Sequence, residues 1–192
     1  DENRLCVGIG DVSDKGLPAA LFMAVTCSLV RAETSRSEDQ RQIFENVNRF
    51  LIRMNARMFV TLLYCTLDFE TGKMQYSRAG HLPPIVIDQD GKPVEMPISQ
   101  GQPLGLFDNL RIDQQHFTLP KGGLVLLFSD GLNEVVDPQG NPFGLERVQD
   151  ILSAHHHQGA QDICETLWQA VQNHSGETHH QDDFTTVVIK RE

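Results

Sequence analysis

The sequence predicts an α+β domain, with antiparallel sheets and helices on their outer sides. Three observations point there. Stretches of β character outnumber helical ones. Stretches of both kinds are long enough to pack in layers. No internal repeat or linker divides the 192 residues, a length that suits one domain with a substantial core.

The first strand, residues 5–9, runs straight into Gly10-Asp11. A polar, glycine-bounded loop reaches Gly16, and a helix opens at Pro18, whose missing N–H suits a first turn. Residues 18–32 are apolar nearly all round, which predicts a buried helix. After a polar break over 33–39, a second helix over 41–54 carries Ile43, Val47, Phe50, Leu51 and Met54 at three- and four-residue spacing. Residues 59–68 are rich in β-formers, and Glu70-Thr71-Gly72 turns them into a hairpin partner over 73–79. Gly80-His81-Leu82-Pro83-Pro84 is a rigid loop, because two prolines cannot continue a ladder. Strands over 85–88 and 93–96 flank an Asp-Gly turn signal. Residues 99–105 form a second glycine-proline loop, and 110–119 alternate as a half-buried strand does. Residues 124–128, Leu-Val-Leu-Leu-Phe, predict a strand covered on both faces. Helices over 145–152 and 160–174 and a closing strand over 184–190 complete the chain.

Composition narrows the function. Hydrophobic residues at 40% and charged residues at 22% are ordinary for a globular protein. A net charge of −10 with no run of Lys or Arg to offset it argues against nucleic acid. It suits a cytoplasmic protein and is compatible with acidic metal sites. The four cysteines are widely spaced and are expected to be reduced and buried. The longest apolar run, 17–30, is broken by Thr26 and Ser28 and falls short of the ~20 residues of a membrane span. No stretch of these residues has the pattern of a signal peptide, so none is expected. The abrupt opening on Asp1-Glu2-Asn3-Arg4, just before a strand, suggests a piece of a longer protein.

Three acidic positions carry the chemistry: Asp11, Asp130 and the pair Asp182/Asp183. Each lies at one end of an apolar strand, beside a glycine or a turn. A lone buried carboxylate is costly, so each faces solvent, a basic side chain or a metal ion. Should the strand ends converge, each like-charged pair ~4 Å apart costs on the order of 4 kcal/mol at moderate dielectric. Such a cluster takes up protons or binds a hard divalent cation, and oxygen donors suit Mg²⁺ or Mn²⁺ better than zinc. Other motifs fail or read blandly. A calcium loop starting at Asp11 would need Glu at its twelfth position, which is Phe22. A P-loop is absent. His81 is expected to make a structural hydrogen bond. His155-His156-His157 and His179-His180 are expected to be solvated, and Trp168 and the second helix's apolar stripe to be core.

The residues resemble those of a known family. Gly10-Asp11-Val12-Ser13-x-Lys15-Gly16-x-Pro18-Ala19-Ala20-Leu21 is similar to the first signature of the SpoIIE/RsbU-type bacterial serine phosphatases, a branch of the metal-dependent type 2C (PPM) phosphatases. Met58-Phe59-Val60-Thr61-Leu62, Ala79-Gly80-His81-x-Pro83-Pro84, Gly101-x-Pro103-Leu104-Gly105, Ser129-Asp130-Gly131-Leu132-x-Glu134 and Asp182-Asp183-x-Thr185 follow in the family's order. The resemblance implies an αββα sandwich of two antiparallel sheets flanked by helices. It also implies a site for two Mg²⁺ or Mn²⁺ ions, with Asp11 bridging them and the Val12 carbonyl adding a ligand. Asp130 and Asp182 would complete one ion's ligands, with Asp183 next if the register differs by one. Phosphomonoester hydrolysis is among the slowest uncatalysed reactions, and paired ions activate water and offset phosphoryl charge without a covalent phosphoenzyme.

Two departures stand out. The family's domain opens with an earlier strand bearing a G-D-x-Y-D-type motif; residues 1–192 are expected to start after it, leaving the second ion short of a ligand and a sheet short of an edge strand. Asp14 also stands where the family has Gly, and is expected to point to water.

The resemblance implies a protein serine/threonine phosphatase acting as the C-terminal output module of a larger signalling protein. Its implied partners are a phosphorylated protein, with an anti-sigma-factor antagonist as one candidate, an upstream sensor or receiver domain, and a second copy of the chain. The helices over 18–32 and 41–54 are candidates for a regulatory or dimer surface. The alternative is a catalytically inactive module of the same fold that binds a partner in a signalling switch.

Overall fold

The computed structural model describes residues 3–176 and 183–192. Two antiparallel sheets and four helices make an α+β fold, distributed over two compact units.

The first unit comprises Asp1–Asp68, Met74–Pro83 and Pro97–Phe117. Strand β1 (Arg4–Val12) pairs antiparallel with β2 (Val60–Asp68) over nine residue pairs, from Arg4↔Asp68 to Val12↔Val60. Strand β3 (Lys73–Ala79) pairs antiparallel with β2, and β5 (Gln115–Thr118) completes the order β1-β2-β3-β5. Helix α1 (Leu17–Thr34) starts after Gly16, whose φ of 81° favours glycine. Helix α2 (Gln40–Met54) is capped by Asp39, whose Oδ1 accepts the Arg41 and Gln42 N–H groups at 3.0 and 3.4 Å. Ile43, Phe44, Val47 and Leu51 of α2 pack with Phe22 of α1 and with Val60, Leu62 and Tyr64 of β2. Burying each such side chain contributes about 1.5–3 kcal/mol.

The second unit comprises Phe69–Lys73, Pro84–Met96 and Thr118–Glu192. Its sheet has the order β4-β6-β7: β4 (Ile85–Ile87), β6 (Leu124–Phe128) and β7 (Thr186–Lys190), antiparallel throughout. Every residue of β6 is buried, as its unbroken apolar run predicts. Helices α3 (Leu145–His155) and α4 (Ala160–Ser175) supply Val148, Leu152, Ile163, Leu167 and Val171 to this core.

Several expectations need correction. Residues 93–96 form no strand: Val94 N–H donates to the Val86 carbonyl and Pro93 bridges Ile87 alone, since the prolines at 93 and 97 lack donors. Of 110–119 only Gln115–Thr118 is strand. Helix α1 is not buried all round; Leu17, Leu21 and Val25 are exposed, because only the face with Ala19, Phe22 and Thr26 finds packing partners. With 18 residues and a mean hydropathy of 1.2, α1 is long and apolar enough to cross a membrane by length and composition, and 22% of it is buried. Phe50 and Met54 of α2 and Trp168 of α4 are also exposed, Trp168 meeting Phe184 edge-on at 5.0 Å. All four cysteines are free thiols, but Cys6 and Cys27 are exposed rather than buried. His155 and His156 are half-buried, and His156 Nδ1 bonds the Ser153 carbonyl at 2.7 Å; His157 is exposed.

Candidate active site

In the first unit, the predicted site begins where β1 ends. Asp11 stands opposite Thr61 in the β1–β2 register, and Val12 opposite Val60. Gly10 is required here, since a Cβ would lie 2.7 Å from the Thr61 carbonyl oxygen. The loop beyond is tied to the start of β2: Ser13 N–H donates to the Phe59 carbonyl at 3.0 Å, and Phe59 N–H donates to Ser13 Oγ at 3.0 Å. Ser13 Oγ therefore has a structural role. Asp14 is exposed and accepts the Lys15 N–H at 2.8 Å, in keeping with a carboxylate turned to water.

Thr61 also fixes the next loop. Its Oγ1 lies 2.8 Å from Nδ1 of His81, which is buried, so the structural role expected of His81 holds. Arg78 Nη1 donates to the His81 carbonyl at 2.9 Å, and its Nε donates to the Ser99 carbonyl at 3.0 Å. Gly80 N–H donates to the Gly101 carbonyl at 3.0 Å, while a Cβ on Gly101 would fall on the Arg78 carbonyl. The two glycine-proline loops are thus one layer of backbone in contact, closed by the glycines that allow it.

In the second unit, β6 ends at Ser129-Asp130. Ser129 N–H donates to the Thr185 carbonyl, Ser129 Oγ donates to the Asp183 carbonyl at 2.7 Å, and Thr185 N–H donates back to Ser129 Oγ at 3.0 Å. Gly131 completes the approach, since a Cβ there would lie 2.4 Å from the Asp183 carbonyl oxygen. The segments bearing Asp130 and Asp183 are therefore side by side. Asp130 is half-buried, and its carbonyl accepts the Asn133 and Glu134 N–H groups at 3.0 and 2.9 Å, turning the chain sharply after the strand.

Asp11 and Val12 belong to the first unit, Asp130 and Asp183 to the second; Asp182 and His179-His180 lie outside the described residues. Within each unit, the described residues gather no group of three or more His, Cys, Asp or Glu side chains. The donors in each unit are all oxygen and suit a hard divalent cation chemically: the Asp11 carboxylate and the Val12 carbonyl in the first, the Asp130 and Asp183 carboxylates in the second. Sequence reasoning missed Ser129 as the clamp on Asp183 and Thr61 as the partner of His81. Serine beside a strand-end Asp is the only signal that pointed to the first.

Comparison with known proteins bears on the family and the fold. The profile of the Stage II sporulation protein E (SpoIIE) family matches residues 1–192. The phosphoserine phosphatase RsbU of Bacillus subtilis is 28% identical over 194 residues, which cover all of this chain and 57% of RsbU. The phosphoserine phosphatase RsbP of the same organism is 25% identical over 194 residues, covering 98% of this chain and 46% of RsbP. The chain thus spans about half the length of these curated relatives. Among solved structures, the PP2C domain of SiaA from Pseudomonas aeruginosa superposes with a TM-score of 0.85 at 20% identity, covering 100% of this chain and 78% of that one. RsbX in complex with magnesium superposes with a TM-score of 0.66 at 23% identity, covering 98% and 81%. Shared fold with PP2C domains and a profile match along its whole length place the chain in the SpoIIE family, to which it belongs.

Proposed function

We propose that this chain hydrolyses phosphoserine or phosphothreonine on a signalling protein, in a metal-dependent reaction. The observation that carries the reading is the Ser129–Asp183 clamp, which sets Asp130 and Asp183 together at the end of a buried strand. Asp11 and the Val12 carbonyl would hold ions from the first unit's residues; Asp130, with Asp182 and Asp183, would hold them from the second's. When bound, a pair of Mg²⁺ or Mn²⁺ ions supplies Lewis acidity, acidifying water and neutralising charge on the phosphoryl oxygens.

The protein's own residues keep these oxygens in place. Gly10 and Gly131 let backbones approach where side chains would clash. Ser129 uses both its hydroxyl proton and a lone pair to hold the Asp183–Thr185 segment. Thr61, opposite Asp11, is anchored by His81. RsbU and RsbP bear the name phosphoserine phosphatase, which supports a phosphoserine substrate here. A phosphorylated anti-sigma-factor antagonist is the proposed substrate. We place the reaction in the cytoplasm, under an upstream sensor or receiver domain and in a dimer.

The test is hydrolysis of a phosphoserine protein by the full-length gene product with Mn²⁺, beside the variant Asp130→Asn. Turnover that requires Mn²⁺ and falls at least about a hundredfold in the variant supports the reading. Turnover that survives EDTA, or is untouched by Asp130→Asn, overturns it. A folded protein that binds its partner without turnover would be the inactive module of this fold.

A further inference from the structure

A second feature of the first unit lies away from the strand ends that carry Asp11 and Val12. Where the last turn of α1 meets α2, Glu33, Arg36, Asn46, Arg49, Phe50 and Arg53 line an open cavity of about 450 Å³. Glu33 is 4% exposed, yet keeps two partners: Arg36 Nη1 donates to Oε1 at 3.0 Å and Asn46 Nδ2 to Oε2 at 2.6 Å. Asn46 Oδ1 accepts in turn from Arg49 Nη2. One buried carboxylate therefore orients two guanidinium groups, directly and through an asparagine.

That network would fasten the end of α1 to α2 without any ligand, and it accounts for Arg36 and Arg49. It leaves Arg53 unexplained. Arg53 follows Arg49 by one helical turn, lines the same cavity, and has no hydrogen bond or ion pair with the described residues. Like charges four residues apart on a helix repel. Three guanidinium groups against one carboxylate leave a local excess of two positive charges on a chain whose net charge is −10. Nothing among the lining residues offsets it.

We propose that this cavity binds a phosphoryl dianion, as free orthophosphate or as a phosphorylated side chain. A phosphate group carries about −1.5 to −2 at neutral pH, matching the excess, and guanidinium forks meet its oxygens with paired hydrogen bonds. The 18 residues of α1 place this cavity about 27 Å of helix rise from the loop that follows Asp11. Binding here is thus separate from the proposed hydrolysis and does not depend on it.

The test titrates the metal-free protein in EDTA, at fixed ionic strength, with orthophosphate, a phosphoserine peptide, its unphosphorylated form and succinate. The readout is the NMR signal of the Nε–H groups of Arg49 and Arg53. Saturable shifts are expected with orthophosphate, the phosphopeptide or both, and whichever binds tighter identifies the source. Arg53→Ala, at an exposed position, should weaken binding at least about tenfold, and Arg53→Lys by less. Absence of saturable shifts, binding unchanged in Arg53→Ala, or equal binding of succinate overturns the proposal.

Discussion

Ser129 and Asp183 are 54 residues apart, and the Ser129 hydroxyl donates to the Asp183 carbonyl at 2.7 Å while accepting from Thr185 N–H. One buried hydroxyl thus fixes where the chain enters β7 relative to where it leaves β6. Ser129→Ala leaves a carbonyl and an N–H without this partner and is expected to cost about 1–3 kcal/mol. Urea unfolding would measure it. An unchanged midpoint would mean the segment is held by the sheet alone.

Gly131 tests the same approach sterically. Gly131→Ala puts a Cβ 2.4 Å from the Asp183 carbonyl oxygen, which is backbone and cannot swing away. Overpacking of this kind costs about 1–3 kcal/mol, so a drop in melting temperature of several degrees is expected. Scanning calorimetry beside Gly140→Ala separates the effects. Gly140 has open space around it, so its alanine suffers backbone strain alone, from a φ of 85°.

Burial pushes the Cys65 thiol well above its ordinary range. The unfolded thiol ionises near pH 8.5, so the contribution of Cys65 is fully present below about that value and is lost as pH rises above it. Burial raises Tyr64 and Tyr76 too, and they act in the same direction from about pH 10 upward. Unfolding free energy is therefore expected to fall as pH rises above about 8.5. Cys65→Val should flatten the first part of that fall. Equal slopes for the two proteins would remove Cys65 as the cause.

The Thr61–His81 contact can be cut without changing shape much. Thr61→Val removes the hydroxyl 2.8 Å from a buried Nδ1 and should destabilise by about 1–3 kcal/mol, whereas Thr61→Ser should retain most of that. Thermal unfolding of both variants checks the order. Equal stability of the valine and serine variants would count against a hydrogen-bonding role.

Strands with a one-sided physical cause were legible. Residues 124–128 and 73–79 were found to the residue, the first from an unbroken apolar run and the second from the turn before it. Residues 110–114 alternate as a strand should, yet Asp113 spends its carboxylate on Ser99 Oγ and Gln100 N–H, a loop contact that periodicity does not encode. The exposed face of α1 was illegible because hydropathy records what a face prefers, not whether a partner covers it. At the site, Asp11, Asp130 and Asp183 stood out as strand-end carboxylates. Ser129 did not, since one serine beside a strand-end Asp is too slight a signal to name the partner its hydroxyl will take. The arginine cavity escaped for another reason: Arg36 lies in the polar break, 13 and 17 positions before Arg49 and Arg53, and only folding gathers them.

The nine-pair ladder of β1 on β2 makes the length of β1 a measuring device. Side chains alternate between faces, so deleting one residue between Leu5 and Gly10 while the Arg4 end keeps its pairing turns Asp11 to the opposite face. Deleting two restores the face but displaces the carboxylate by about 7 Å along the strand. Exposed positions such as Cys6 can change identity at small cost; the count of residues between Arg4 and Asp11 cannot change at all without moving the carboxylate.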